Sequence, residues 1–408
     1  MSFFKDLNDR GIVAQVTHPD ELGPLLDTPG LTAYAGFDPT ADSLTAGHLV
    51  PLLNLVRIQR AGHRPIALMG GGTTLIGDPT GKTEMRRMLT RETIAANATR
   101  FKEQMSRVLD FGEGGALMVD NGEWLESLNY IQMLREVGAH FSVNRMLSAE
   151  CFKSRMESGL SFLEFNYMIL QSYDFLILSD RYGCKLQVGG DDQWSNILAG
   201  ADLIRRLRQR PAYALTFQLL TTADGRKMGK TEKGALWLDA EKTSPYEFYQ
   251  YFRNVPDDRV GLCLGFFTLL PADEVTRLGA AKGSEINSVK EVLAWEVTRI
   301  VHGEDEANKA KAAARAAFGG GGGDRDQLPT TLYARSEIPE GGLPLLDILI
   351  RAELASGRGD GRRLVAGGGI RLNGVKVEDP AQLILAEHLA DEGIELRKGK
   401  TFHRVKLS

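Results

Sequence analysis

Between Leu31 and Gly81 the spacing of apolar positions changes character twice. Thr32-Ala33-Tyr34-Ala35-Gly36-Phe37 is a continuous run with the length of a buried strand, and Arg64-Pro65-Ile66-Ala67-Leu68-Met69-Gly70 is a second. Between them Leu49, Leu52, Leu53 and Val56 recur at i, i+3, i+4 and i+7, which predicts a helix with one buried face, stopped by Gly62. Strand, crossover helix and strand form the unit of a parallel α/β sheet. A proline inside a helix costs about 3 kcal/mol, so Pro51 is expected in the first turn, with Thr45-Ala46-Gly47-His48 at the N-terminus. Unpaired N–H groups and the positive end of the helix dipole there face the ligand crevice of open α/β folds. Gly70-Gly71-Gly72-Thr73-Thr74 leaves the second strand almost without side chains. That surface suits a polyphosphate, although the glycines alone favour a tight structural turn.

Residues 1–30 are mixed and are expected to pack outside the sheet, and a helix is predicted from Arg91 to Leu109. From Asp120 to Glu157 short helical patterns alternate with turns; Trp124, Leu128, Ile131, Met133 and Leu134 fit either an interface or a local core. The stretch Ser161 to Asp180 is apolar nearly all round, so its helix is expected to be buried. Yet Tyr167, Gln171 and Asp174 lie at i, i+4 and i+7, on one face. Burying an unpaired polar group costs about 1–3 kcal/mol, so the row must meet other protein groups or a polar ligand. Spacing alone leaves these two readings equal.

A further strand, Lys185 to Val188, ends in Gly189-Gly190-Asp191-Asp192-Gln193 and runs into a helix at Trp194. A carboxylate just past a strand end can accept both hydroxyls of a ribose, and Asp192 could equally cap the helix. Ser244-Pro245 starts a helical region that continues through 287–302 and 304–318. Gly319 to Gly323 then marks a linker.

Composition narrows the class without choosing the chemistry. A chain of 408 residues, 43% hydrophobic and 25% charged, is long enough for two or three domains with their own cores. No run approaches the roughly 18 apolar residues of a membrane span, and Met1-Ser2-Phe3-Phe4-Lys5-Asp6 lacks the core of a signal peptide, so the cytoplasm is the expected compartment. Cys151, Cys184 and Cys263 have no paired spacing and read as core filler, with no metal site. A net charge of −4 excludes a wholesale nucleic-acid coat, but the tail from Leu343 carries 11 Lys/Arg against 9 Asp/Glu.

Three stretches together carry a family resemblance. Tyr34 to Leu44, Gly47-His48-Leu49-Val50-Pro51 and Leu75-Ile76-Gly77-Asp78-Pro79 resemble the opening of the bacterial tyrosyl-tRNA synthetases, members of class I. Gln187 to Trp194 and Lys227-Met228-Gly229-Lys230-Thr231 are similar to that family's later signatures, the second being its KMSKS loop, here KMGKT. The resemblance implies a Rossmann-type parallel-sheet catalytic domain over 1–222 with a dimerisation insertion at about 82–160. It further implies a KMSKS-like loop and helical anticodon-binding domain over 223–318, a linker over 319–342, and an α+β RNA-binding module over 343–408 resembling ribosomal protein S-four.

The same resemblance implies activation of L-tyrosine by ATP with Mg²⁺, transfer to the 3′ end of tRNA(Tyr), and a homodimer. Tyr167, Gln171 and Asp78 are then expected to hold the α-ammonium, Asp174 and Tyr34 the phenolic hydroxyl, and Gln193 to lie near the carboxylate. Gly36, Asp38, Thr40, Gly47, His48, Gly190, Asp192 and Lys230 are expected around ATP. Thr40, Thr45, His48, Lys82, Arg86, Lys227, Lys230 and Thr231 are expected to form the catalytic set that stabilises the reacting phosphates. Arg358, Arg362, Arg363, Arg371 and Lys376 are expected to meet RNA. One departure is Thr45, where the family's HIGH signature opens with histidine; a rival reading is an impaired paralogue acting as an RNA-binding or regulatory protein. Two others are Gly359 and Gly361, expected to weaken the helix that presents the tail's arginines.

Overall fold

The computed structural model describes residues 2–80, 88–221, 228–231, 234–318, 328–399 and 401–408. Strands β1 (Val13–Val16), β2 (Thr32–Phe37), β3 (Arg64–Met69), β4 (Leu117–Asp120), β5 (Leu186–Gly190) and β6 (Tyr213–Phe217) form one sheet in the order β1-β6-β5-β2-β3-β4. All neighbours are parallel except β1 and β6. The N-terminal segment therefore adds an antiparallel edge strand, where the sequence suggested packing outside the sheet. Four residues, Val13-Ala14-Gln15-Val16, are too short a run to show a period, and their pairing depends on a strand some 200 positions away.

Chain order runs outward from β2 through β3 to β4 and then restarts at β5 on the other side of β2. That reversal is a topological switch point, where a crevice opens at the carboxyl ends of the strands. Pairing explains the opening here: β2 and β5 are joined only at Ala33↔Leu186 and Tyr34↔Gln187. Beyond that rung Ala35–Phe37 and Val188–Gly190 no longer pair with each other.

The crossover helix is Ala46–Arg60, so Pro51 stands in its second turn and not its first. The residue four positions back, whose carbonyl the proline ring crowds, is Gly47, which has no side chain to add to the crowding. The Pro51 ring also borders the cavity described below, so one side of it is unobstructed.

By packing, the chain divides into two units, 1–243 with 251–302, and 244–250 with 303–408. The helices Val260–Phe267, Ala272–Gly279 and Glu285–His302 thus belong with the sheet, and Glu304–Phe318 with the tail, a different partition from a single helical domain over 223–318. One cause is Arg57, a buried side chain of the crossover helix that donates to the carbonyls of Gly265, Phe266 and Thr268 at 2.8, 2.9 and 2.7 Å. Within the same unit β7 (Lys230–Thr231) pairs with β8 (Gly234–Ala235).

In the second unit β9 (Thr330–Tyr333), taken in sequence for linker, joins a five-stranded sheet. A short pair, β10 (Leu343–Pro344) with β13 (Leu383–Ile384), flanks it. The five-stranded order is β12-β11-β14-β15-β9, with β11 (Ile370–Leu372), β12 (Val375–Lys376), β14 (Ile394–Lys398) and β15 (Thr401–Leu407). Asn373 and Gly374, at φ 47° and 81°, turn β11 into β12 as a two-residue hairpin requires. The helix Arg358–Ala366 forms despite its glycines: a Cβ on Gly361 would lie 2.9 Å from Leu346 Cδ2, so the glycine admits the neighbouring helix Leu345–Arg351.

Candidate active site

A cavity of about 360 Å³ fills the crevice between β2 and β5. Tyr34, Gly36, Asp38, Thr40, Gly47, His48, Asp78, Tyr167, Gln171, Asp174, Gly190, Asp192 and Gln193 all line it. The polar row of the buried helix Tyr167–Tyr182 therefore faces a cavity that reaches the N-terminus of the crossover helix.

Its members are not satisfied by one another. Tyr167 donates its hydroxyl to Asp38 Oδ2 at 2.9 Å, and Gln171 Oε1 is buried without a partner. Asp174, 2% exposed, accepts from Asn121 Nδ2 at 2.9 Å and from Trp124 Nε1 at 2.8 Å, one donor on each oxygen. Burial pushes its carboxyl up to about 8, against the pull of those two donors. Beside it the Tyr34 hydroxyl is buried and unpartnered; burial first, and then the Asp174 charge, hold that phenol well above its ordinary value. On β5 the register partner of Tyr34, Gln187, also leaves its buried Oε1 unpaired. The floor of the cavity thus presents polar atoms that only a ligand or water can satisfy.

A hydrogen-bond chain links the two ends of this floor. Asn121 Nδ2 also reaches Thr73 Oγ1 at 3.0 Å, and Thr73 donates to Asp38 Oδ1 at 2.8 Å. Asp38, expected with ATP, thus accepts from both Thr73 and Tyr167, the latter expected with the amino acid. On the opposite wall Gln193 Nε2 donates to Asp78 Oδ2 at 2.8 Å while Asn196 holds Gln193 Oε1 at 3.1 Å. Asn121, Thr73 and Gln187 went unnamed as site residues in the sequence reading. Trp124 appeared there only as interface or core. Their polar atoms reach the site through a loop after β4 and a register that no local pattern encodes.

The glycine turn is structural. The Gly71 and Gly72 amides donate to Asp120 Oδ1 and Asn121 Oδ1, at 3.1 and 2.8 Å, and the Gly70 amide to the Phe37 carbonyl. A Cβ on Gly70 would fall 2.0 Å from Asp38 Oδ1, and one on Gly71 2.2 Å from Asp120 Oδ1. These glycines let carboxylates approach the backbone, and their amides are not offered to a polyphosphate. Gly36 differs: nothing lies within 4 Å of a Cβ built there, so its face is open to the cavity.

Past β5, Asp191 is taken by Thr216 and Gln15, whereas Asp192 lines the cavity and the N-cap position of the helix Trp194–Arg208 is Gln193. Thr45 is the N-cap of the crossover helix and is absent from the residues that line the cavity. Lys82, Arg86 and Lys227 lie outside the described residues, and Lys230 and Thr231 are described only as backbone of β7. In the tail, Arg358 pairs with Asp347 at 2.7 Å and Arg371 donates to the Gly374 carbonyl, while Arg362, Arg363 and Lys376 are exposed. Among the described residues no group of His, Cys, Asp or Glu could hold a metal ion, and no helix is long and apolar enough to cross a membrane.

A largely parallel sheet with its cavity at the switch point, a helix N-terminus on one side and buried unpartnered polar atoms on the floor fits the class I synthetase architecture. The model of the family described as tRNA synthetases class I (W and Y) matches residues 27–319, and the chain belongs to that family. The tyrosine–tRNA ligase of Lachnoclostridium phytofermentans is 57% identical over 400 residues, covering 98% of this chain and 97% of the relative. That of Acetivibrio thermocellus is 54% identical over 407 residues, covering 100% and 99%. A C-terminally truncated mitochondrial tyrosyl-tRNA synthetase of Aspergillus nidulans superposes with a TM-score of 0.69 at 30% identity, over 78% of this chain and 94% of that one. The activity is accordingly that of a bacterial tyrosine–tRNA ligase, with tyrosine, ATP and tRNA as substrates. Full-length likeness to ligases does not favour the reading as an impaired paralogue.

Proposed function

We propose that tyrosine lies with its phenol at Tyr34 and Asp174 and its ammonium at Tyr167, Gln171 and Asp78, with Gln193 near its carboxylate. ATP, entering with Mg²⁺ as substrate, lies over Gly36, Thr40, Gly47, His48 and Gly190, its ribose on Asp192. The observation that carries this reading is the pair of buried, unpartnered polar atoms, Tyr34 Oη and Gln171 Oε1, on the floor of a cavity that continues to His48.

Chemistry then needs no protein nucleophile. A tyrosine carboxylate oxygen bonds to the α-phosphorus as the bond to the bridging oxygen breaks, releasing pyrophosphate. The terminal ribose hydroxyl of tRNA next attacks the tyrosyl carbonyl and AMP leaves. The protein contributes alignment and charge: Lys82, Arg86, Lys227 and Lys230, with Thr40 and Thr231, neutralise the phosphates as pyrophosphate departs.

Two subunits associate through the insertion, whose Tyr130, Ile131, Leu134, Val143 and Met156 are exposed apolar side chains. The helical region and the module over 343–408 hold tRNA, the latter through Arg358, Arg362, Arg363, Arg371 and Lys376, and the enzyme works in the cytoplasm. Amino-acid-dependent ATP–pyrophosphate exchange tests the pocket. Tyrosine is expected to support exchange and phenylalanine and tryptophan to fail. An Asp174→Ala protein that still prefers tyrosine over phenylalanine overturns the assignment.

A further inference from the structure

Thr45 occupies the position where histidine opens the family signature, and its geometry gives it a different task. Its hydroxyl does not line the cavity; Oγ1 lies 3.0 Å from His48 Nδ1. The Thr45 backbone N–H donates to the same Nδ1, also at 3.0 Å. An amide N–H can only donate, so Nδ1 is an acceptor and carries no proton. The hydroxyl beside it must then donate as well, and the ring proton resides on Nε2. A hydroxyl that spends its proton on an imidazole nitrogen cannot also give it to a phosphate.

The fold keeps this amide out of the backbone ladder. Residues 44–46 run antiparallel to 236–238, with Ala46 N donating to the Leu236 carbonyl and Leu238 N to that of Leu44, both at 2.9 Å. Thr45 and Trp237 are the intervening pair that exchanges no bonds, which leaves the Thr45 N–H to the imidazole. Extended backbone at φ −115° and ψ 168° suits a β-branched N-cap residue. The helix N-terminus disfavours an imidazolium, which works in the same direction, and Phe101 packs on the ring at 5.7 Å between centroids.

We propose that Thr45 is a positioning residue that locks His48 as the neutral Nε2–H tautomer. In that state Nε2 carries the only ring N–H of a residue that lines the cavity. The consequence for catalysis rests on the reading above, in which His48 meets ATP.

The test uses the full-length protein labelled with ¹⁵N-histidine, with His48→Asn to assign one of the seven histidines. In the wild type the His48 Nδ1 signal is expected at the unprotonated position and Nε2 at the protonated one; a protonated Nδ1 overturns the proposal whatever the variants do. Thr45→Val removes the hydroxyl at nearly constant shape. It is expected to move the His48 signals and to lower kcat/KM for ATP about 3- to 10-fold in pyrophosphate exchange, mostly through KM. Thr45→Ser is expected to restore both. Unmoved His48 signals in a folded Thr45→Val protein overturn the assignment of the lock to the Thr45 side chain. Moved signals with an unchanged KM for ATP support the lock and overturn instead the placement of ATP against His48.

Discussion

Tyr34 and Gln187 form the last paired rung between β2 and β5, and each leaves a buried polar atom without a partner. An unpartnered buried hydroxyl costs the empty protein about 1–3 kcal/mol, which a phenolic substrate can recover. Tyr34→Phe is therefore expected to raise the melting temperature of the ligand-free protein while lowering the preference for tyrosine over phenylalanine several-fold. Differential scanning calorimetry and exchange kinetics on one preparation check both signs.

Asn121 serves two ends of the network, donating to Asp174 and to Thr73. Asn121→Ala leaves one Asp174 oxygen with no donor. A buried acceptor left unsatisfied costs about 1–3 kcal/mol, which predicts a roughly 5- to 100-fold fall in kcat/KM for tyrosine. Phenylalanine, which does not use that carboxylate, should lose far less. Equal losses for both amino acids would assign Asn121 a general structural role.

The Asp174 carboxyl titrates at about 8 in the folded protein against an ordinary value of 3.8. Its folded-state value is raised, so the stability it contributes is full below about pH 4 and is lost as pH rises towards 8. The difference in melting temperature between the ligand-free wild type and Asp174→Asn is expected to move against the wild type across that window and to level off above it. Melts at about pH 5, 6.5 and 8.5 give the trend, with the variant cancelling all other titrations.

Gly70 lies under Asp38, and the methyl of Gly70→Ala would meet Asp38 Oδ1 at 2.0 Å and Thr73 Oγ1 at 2.5 Å. The variant must displace the carboxylate that Tyr167 and Thr73 hold. A weaker tyrosine affinity, by about tenfold or more in equilibrium dialysis, is expected, with a smaller effect on ATP.

Ile131 and Val143 are 70% and 56% exposed in the single chain. If the insertion is the dimer face, Ile131→Asp together with Val143→Asp buries charge without a partner there, and light scattering should report a monomer. A dimer of unchanged affinity would place the interface elsewhere.

The crossover helix, the strands on either side of it and the polar row at Tyr167, Gln171 and Asp174 were legible from spacing because each is set by the local period of burial. Glycine and proline were read less well. Gly70-Gly71-Gly72 could be phosphate cradle or close contact until Asp38 and Asp120 were found above it, and Pro51 entered a second turn that a propensity argument forbids.

Local pattern by itself determined which segments are helix or strand, which faces are apolar and that a polar row must find partners. Tertiary structure decided who those partners are: Asn121 and Trp124 for Asp174, Asp38 for Tyr167, and none for Tyr34 Oη or Gln171 Oε1. The division has a physical cause. Burial periodicity is a property of neighbours along the chain, whereas hydrogen-bond partners in a crevice are brought together by sheet order and register, which join residues 50 to 150 positions apart.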